Sequence, residues 1–213
     1  MLDVTFTTVL YESDWERTCG RVCAVLKSLQ SCGLTGEYLI VDNSSMPTPG
    51  ASLLAVENKR VQYTWNQGYN IYLAGALELA VSQAKGQTFV YVCASHGVVK
   101  DDTWLTDLIS SVRNESTALA GSVQPCEFNR VASVPDDIVE PQVHVQGGIW
   151  ASRTKFLQKI GFSHRFPFEF CDVDLSRRCL VAGYDLVDVP SIASVADGTV
   201  PESKPYKYIH DYR

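Results

Sequence analysis

Two continuous apolar runs, Tyr38-Leu39-Ile40-Val41 and Phe89-Val90-Tyr91-Val92, constrain this chain more than any other feature. A strand with one wet face alternates polar and apolar residues. A run with no polar face predicts a strand covered on both sides, as in a parallel sheet. Val4 to Leu10, rich in β-branched residues, and Val61 to Trp65 predict two further strands.

Helical spacing fills the gaps between these runs. Ser13-Asp14-Trp15-Glu16 has the spacing of a capping box. Cys19, Val22, Cys23, Leu26 and Leu29 then recur on one helical face, ended by Gly33 and Gly36. Ala74, Leu77, Val81 and Ala84 mark a second helix, closed by Gly86. Asp102 can cap a third carrying Leu105, Leu108, Ile109 and Val112. Ala118 to Ser122, Val143 to Trp150 and Tyr184 to Val189 read as strands. A short helix follows Ser152 and stops at Gly161, and another runs from Asp174 to Gly183. Alternation of this kind predicts an α/β domain with a mainly parallel central sheet and helices on both faces.

At 213 residues the chain predicts one domain over 1–213. The polar, aromatic tail over 201–213 reads as disordered or as a lid. The net charge of -6 gives no reason to expect nucleic acid or an anionic membrane as partner. No apolar stretch approaches the roughly 20 residues that span a bilayer, and no signal peptide is recognisable. The seven cysteines are odd in number and show no paired metal-ligand spacing, so they read as free thiols in a reducing, cytoplasmic setting.

In an open α/β sheet, ligands bind beyond the carboxyl ends of the strands. Three polar turns fall there: Tyr11-Glu12, Asp42-Asn43-Ser44-Ser45 and Cys93-Ala94-Ser95-His96. A second polar constellation lies later, where an aromatic run leads into Glu169-Phe170-Cys171-Asp172-Val173-Asp174-Leu175-Ser176-Arg177-Arg178, shortly after Gly147-Gly148.

This set, in its order and spacing over about 190 residues, resembles family 2 glycosyltransferases of GT-A fold. The resemblance implies nucleotide contacts from Thr8, Leu10 and Tyr11 on the first strand's edge. It implies a uracil-binding role for Asp42, and further contacts from Asn66, Gly68 and Asn70 in the Asn-x-Gly turn. Ser95 and Gly148 complete the implied donor site, and the resemblance implies a nucleotide-binding half over 1–100 and an acceptor-side half over 101–200. It implies Asp172 as the general base that takes a proton from an acceptor hydroxyl. Plainer roles stay open: Asp42 can cap a turn, Asn66 and Gly68 can form an ordinary one, and Gly147-Gly148 can simply allow close backbone approach.

The chain departs from the family in one place. Ala94-Ser95-His96 stands where the family carries the Asp-x-Asp that holds Mn²⁺ or Mg²⁺. His96, with His210 resembling a C-terminal histidine of some relatives, is the implied metal pair, although carboxylates suit so hard an ion better. Cys171 replaces a glutamate and reads as packing rather than as a nucleophile. Asp174 reads as the cap of the following helix, with Glu169 as a supporting acid. Arg177 and Arg178 are open to pairing with these acids or with phosphate.

The resulting expectation is inverting transfer of a hexose or deoxyhexose, such as glucose or rhamnose, from a UDP-sugar to a glycan or glycoprotein acceptor. Gly147 to Phe162 resembles rhamnosyltransferases, and the short chain resembles a virus-encoded glycosyltransferase domain. The rival reading is a catalytically degenerate sugar-nucleotide or glycan-binding module. A nucleotidyltransferase is disfavoured because Tyr11-Glu12-Ser13-Asp14 is acidic where that class carries a basic, glycine-rich loop.

Overall fold

The computed structural model describes residues 2–94, 103–125, 143–167 and 170–192. Among the described residues, seven strands form one sheet, β1 (Leu2–Leu10), β2 (Gly36–Asp42), β3 (Val61–Trp65), β4 (Gly86–Val92), β5 (Thr117–Pro125), β6 (Val143–Arg153) and β7 (Asp185–Asp188), with six helices, α1 (Trp15–Ser31), α2 (Pro49–Glu57), α3 (Tyr72–Gln83), α4 (Trp104–Val112), α5 (Thr154–Ile160) and α6 (Cys171–Val181).

The strand order is β3-β2-β1-β4-β6-β5-β7. Every pairing is parallel except those of β6, which runs antiparallel to both β4 and β5. That reversal matters for the site. It brings the beginning of β6, with Gly147 and Gly148, to the edge where β1, β2 and β4 end.

The continuous apolar runs bury both of their faces, as their composition demands. Tyr38, Ile40, Val90 and Val92 pack with α1 and α4, alongside Val22, Leu29, Leu105 and Leu108. Leu39, Val41, Phe89 and Tyr91 pack on the other face with Leu77, Leu157 and Leu175 of α3, α5 and α6. Burying each such aliphatic side chain contributes about 1.5–3 kcal/mol, so these two layers carry the fold. At the opposite edge from the site, buried Glu37 ties three elements together. Its carboxylate accepts from Thr5 Oγ1 (2.9 Å), Gln62 Nε2 (2.9 Å) and the Lys85 amide (2.8 Å).

Several local expectations are corrected. The N-cap of α1 is Asp14, which accepts from the Arg17 amide at 3.3 Å, while Ser13 Oγ is engaged by the Tyr11 amide. Cys19 and Cys23 are only half-buried, and Thr18, Arg21, Val22, Val25 and Leu29 form the covered face of α1. Gly86 does not close α3 but begins β4, where a Cβ would lie 2.3 Å from the β1 backbone. Thr103 occupies the N-cap position of α4, and Asp102 lies outside the described residues. Helix α6 begins at Cys171, so Asp174 is no cap. It is fully buried and accepts from Arg178 Nε at 2.8 Å, one helical turn on. Helix α2 was not anticipated at all. No helix among the described residues is long and apolar enough to cross a membrane.

Candidate active site

Three loops meet at the carboxyl edge of the sheet, and Asp42 organises them. Its side chain is fully buried at the end of β2. Oδ1 accepts from the Ser44 amide (2.9 Å), closing the turn locally. Oδ2 accepts from the Thr48 amide (3.0 Å) and from the Tyr63 hydroxyl (2.7 Å). Burial pushes the Asp42 carboxyl up, but the bonds from Ser44, Tyr63 and Thr48 outweigh it and leave the group below its ordinary range. Three of the carboxylate's roughly four acceptor positions are thus filled by protein. The turn-capping role that a strand-end aspartate offers is realised here.

The neighbouring residues extend the clasp. The Glu12 carboxylate accepts from the Ser45 amide (2.9 Å) and hydroxyl (2.8 Å), and the Glu12 amide donates to Ser44 Oγ (2.9 Å). Trp65 Nε1 donates to the Ser44 carbonyl (3.0 Å), and Asn43 Nδ2 donates to the Tyr72 carbonyl (3.0 Å). Asn66 Nδ2 donates to Asn43 Oδ1. The Tyr69 amide donates back to the Asn66 carbonyl (2.9 Å) across Gln67 (φ 54°) and Gly68 (φ 82°). That is the backbone of a primed turn, in which only glycine is unstrained. Asn70 Oδ1 then accepts from the Tyr72 amide (2.8 Å) at the start of α3.

Among the described residues, four non-glycine residues have positive φ: Glu12, Gln67, Tyr72 and Phe170. All four lie in segments leaving or entering elements at this same edge. Backbone strain of this kind concentrates where a constellation of groups must be held in a fixed geometry.

The residues proposed for donor contact divide accordingly. Tyr11 is exposed on the rim. Asn66, Gly68 and Asn70 shape the turn beside it. Thr8 and Leu10 are buried in the sheet. The Thr8 hydroxyl lies 2.6 Å from that of Tyr38 and donates to the Val92 carbonyl (2.9 Å), so its side chain is committed to the core. The Gly148 carbonyl accepts from the Cys93 amide (2.8 Å), fastening β6 to the end of β4. Ser95, His96, Glu169 and His210 lie outside the described residues.

Asp172 sits in the first turn of α6, where the helix's positive end favours an anion. It is half-buried, with its carboxyl enclosed by protein. A Cβ at position 147 would lie 2.8 Å from Asp172 Oδ2, so the bare glycine backbone makes the room the carboxylate occupies. Burial pushes the Asp172 carboxyl up. The charge of His144 and the amides of Val173, Asp172 and Gly147 pull it back only in part, leaving it above the ordinary aspartate value. Burial also raises the thiol of Cys171, and the charge on Asp172 adds to that, so the thiol stays protonated and packs as a small apolar group. Arg178 is committed to Asp174 and to the carbonyls of Ile160 (2.9 Å) and Gly161 (3.1 Å). The two halves of the site are linked because the Ala74 amide of α3 donates to the Pro167 carbonyl just ahead of α6 (2.9 Å).

The family profile described as glycosyl transferase family 2 matches residues 17–171, well over half the chain. The chain belongs to glycosyltransferase family 2. The fold agrees. The mannosyltransferase PcManGT from Pyrobaculum calidifontis, solved in complex with GDP-Man and Mn²⁺, superimposes with TM-score 0.68 at 16% identity, over 94% of this chain and 60% of that one. Residues 1–349 of S. aureus TarS superimpose with TM-score 0.59 at 12% identity, over 91% of this chain and 59% of that one. The chain therefore has the GT-A-type architecture and spans about 60% of the length of these two structures. No curated protein matches it by sequence.

Sequence reasoning missed Tyr63 and Trp65. They reach the Asp42 loop only through the β2–β3 register, which sets Asp42 opposite Trp65. Among the described residues, no three His, Cys, Asp or Glu side chains gather as a metal cluster.

Proposed function

We propose that this family 2 chain is an inverting glycosyltransferase that moves a hexose or deoxyhexose from a UDP-sugar to a hydroxyl of a glycan acceptor. The observation that carries the reading is the Asp172 carboxylate. It is enclosed against bare glycine backbone, held at a helix N-terminus and raised above the ordinary aspartate value, beside a strained, hydrogen-bonded nucleotide-side edge.

A raised carboxyl is a stronger base once ionised. Asp172 takes the proton from the acceptor hydroxyl as that oxygen attacks the anomeric carbon, opposite the departing nucleoside diphosphate. One bond forms as the other breaks, so the configuration inverts and no covalent enzyme intermediate is needed. Base catalysis of this sort contributes roughly 10²–10⁴-fold. The Asp42 clasp acts earlier, holding the Glu12–Ser45 and Asn66–Tyr69 segments in the shape the nucleotide meets.

Mn²⁺ or Mg²⁺, held by His96 and His210, would supply positive charge for the leaving diphosphate. The second reading, a degenerate sugar-nucleotide or glycan-binding module, is favoured by Ala94-Ser95-His96 in place of paired carboxylates.

Calorimetric titration with UDP, GDP and CMP, each with and without Mn²⁺, tests the donor side. Metal-dependent binding of UDP, weakened by His96→Ala, is expected. Binding of GDP alone would replace the proposed donor, and binding of none would sink the donor site.

A further inference from the structure

Arg177 lies on α6 and is only 7% exposed. Among the described residues its guanidinium has no hydrogen-bond or ion-pair partner. Neighbouring arginines are engaged. Arg178, the next residue, donates to Asp174 and to the carbonyls of Ile160 and Gly161. Arg153 donates to the carbonyls of Val112, Asn114, Thr117 and Glu115.

The helix itself explains why Arg177 is left over. An arginine on a helix pairs with acids three or four residues away. The positions four before and four after are Val173 and Val181, and three after is Leu180. Asp174, three before, is held by Arg178 at 2.8 Å. A buried lysine can shed its proton, but a guanidinium stays charged. A buried cation without an anion is costly, and the planar fork of a guanidinium matches a carboxylate or a phosphate through two parallel bonds.

Helical geometry sets this cation on the helix that carries Asp172. Arg177 is five residues further on, about 7.5 Å along the axis and roughly 140° around it. Long side chains on a helix lean towards its N-terminus. The Arg177 stem is thereby directed back over buried Val173, one turn earlier on the same face, towards the first turn of α6. That turn is also the positive end of the helix. A helix N-terminus and an unpartnered, buried cation thus favour an anion on the same flank.

We infer that Arg177 is a specificity-determining residue for an anionic acceptor: its guanidinium receives a carboxylate or a phosphate borne by the molecule whose hydroxyl Asp172 deprotonates. The inference rests on the reading of Asp172 as the acceptor-side base. The turn of helix between the two residues assigns the anion to a different part of the acceptor from the reacting hydroxyl. No bond is made or broken at Arg177; it adds affinity and fixes orientation. A neutral acceptor leaves the cation unpaired, so the site selects against it.

The test titrates three probes into wild type, Arg177→Gln and Arg177→Met, with UDP present to fill donor-side anion sites. The probes are methyl glucuronide, glucose 6-phosphate and neutral methyl glucoside. At least one anionic probe should bind wild type about tenfold or more tightly than methyl glucoside. Both variants should weaken that binding by about 10- to 100-fold and leave methyl glucoside unchanged. Preference for the glucuronide assigns a carboxylate-bearing acceptor, and preference for the phosphate a phosphorylated one. Arg177→Met should melt no lower than wild type, because an apolar side chain replaces an unpaired buried charge. Three results would overturn the inference: no anion preference in wild type, unchanged anion affinity in the folded variants, or Arg177→Met melting well below wild type, which would mean that an acid of the fold already holds the cation. Failure of the underlying reading looks different: Asp172→Asn would keep its turnover while wild type still preferred the anionic probe.

Discussion

Replacing Gly147 with alanine should damage turnover far more than it damages the fold. The new Cβ would lie 2.8 Å from Asp172 Oδ2, about 0.6 Å inside the 3.4 Å where ordinary contact begins. Gly147 falls between the paired stretches of β6, 143–145 and 149–153, next to Gly148, whose carbonyl accepts from the Cys93 amide. The end of the carboxylate side chain is the freer partner and should rotate or shift by about that amount. A misplacement near 1 Å costs about 10²-fold in rate, so a loss of roughly 10- to 100-fold in kcat is expected. The overpacking should cost about 1–3 kcal/mol of stability, which leaves the protein folded. Nucleotide affinity should hold, since the Asp42 clasp lies across the sheet edge from β6. The assay is release of nucleoside diphosphate by Gly147→Ala, by Asp172→Asn and by the double variant. If Gly147 acts through the carboxylate, the second change adds little to the first. A folded Gly147→Ala variant with wild-type kcat would refute the reasoning.

Three further outcomes follow from the same geometry. Asp42→Ala leaves the Ser44 and Thr48 amides and the Tyr63 hydroxyl without their acceptor, and should lower stability by about 3 kcal/mol in denaturant melts near neutral pH. Because the Asp42 carboxyl is lowered on folding, its contribution is present above the ordinary value of 3.8 and fades as pH falls through the folded value, so the variant and wild type should converge in acid. Asp172 has the opposite sign: its folded value is raised, so wild-type stability drops as pH rises from the ordinary 3.8 through the folded value, and Asp172→Asn should melt higher than wild type at neutral pH. Gly20, exposed in α1 with no atom within 4 Å of a Cβ, should accept alanine with a gain of about 0.5–1 kcal/mol.

The central strands were legible because buried parallel strands announce themselves as unbroken apolar runs, and Val61–Trp65 matches β3 residue for residue. Helix α2 was not, because its apolar residues follow no single face: Ala51 is buried while Leu53 and Val56 face solvent. The cap of α1 was misread by one residue because Ser13 and Asp14 are both capping types, and the claim of the Tyr11 amide on Ser13 decides between them. The fate of Asp174 lay in its i,i+4 spacing to Arg178, a signal that its place near a helix start obscured. In the site, Asp172 and the Asn66–Tyr69 turn could be picked out from local motifs. The donors to Asp42 beyond its own loop depend on strand register. The seating of Gly147 against Asp172 depends on β6 running backwards with a register shift against β5. No local pattern encodes either.

The most direct test measures nucleoside diphosphate release from a panel of UDP-sugars by wild type and Asp172→Asn, with UDP binding followed in both. Release by wild type alone, with UDP affinity equal in the two proteins, is the predicted result. Equal release by both proteins would contradict the account by removing Asp172 from the chemistry.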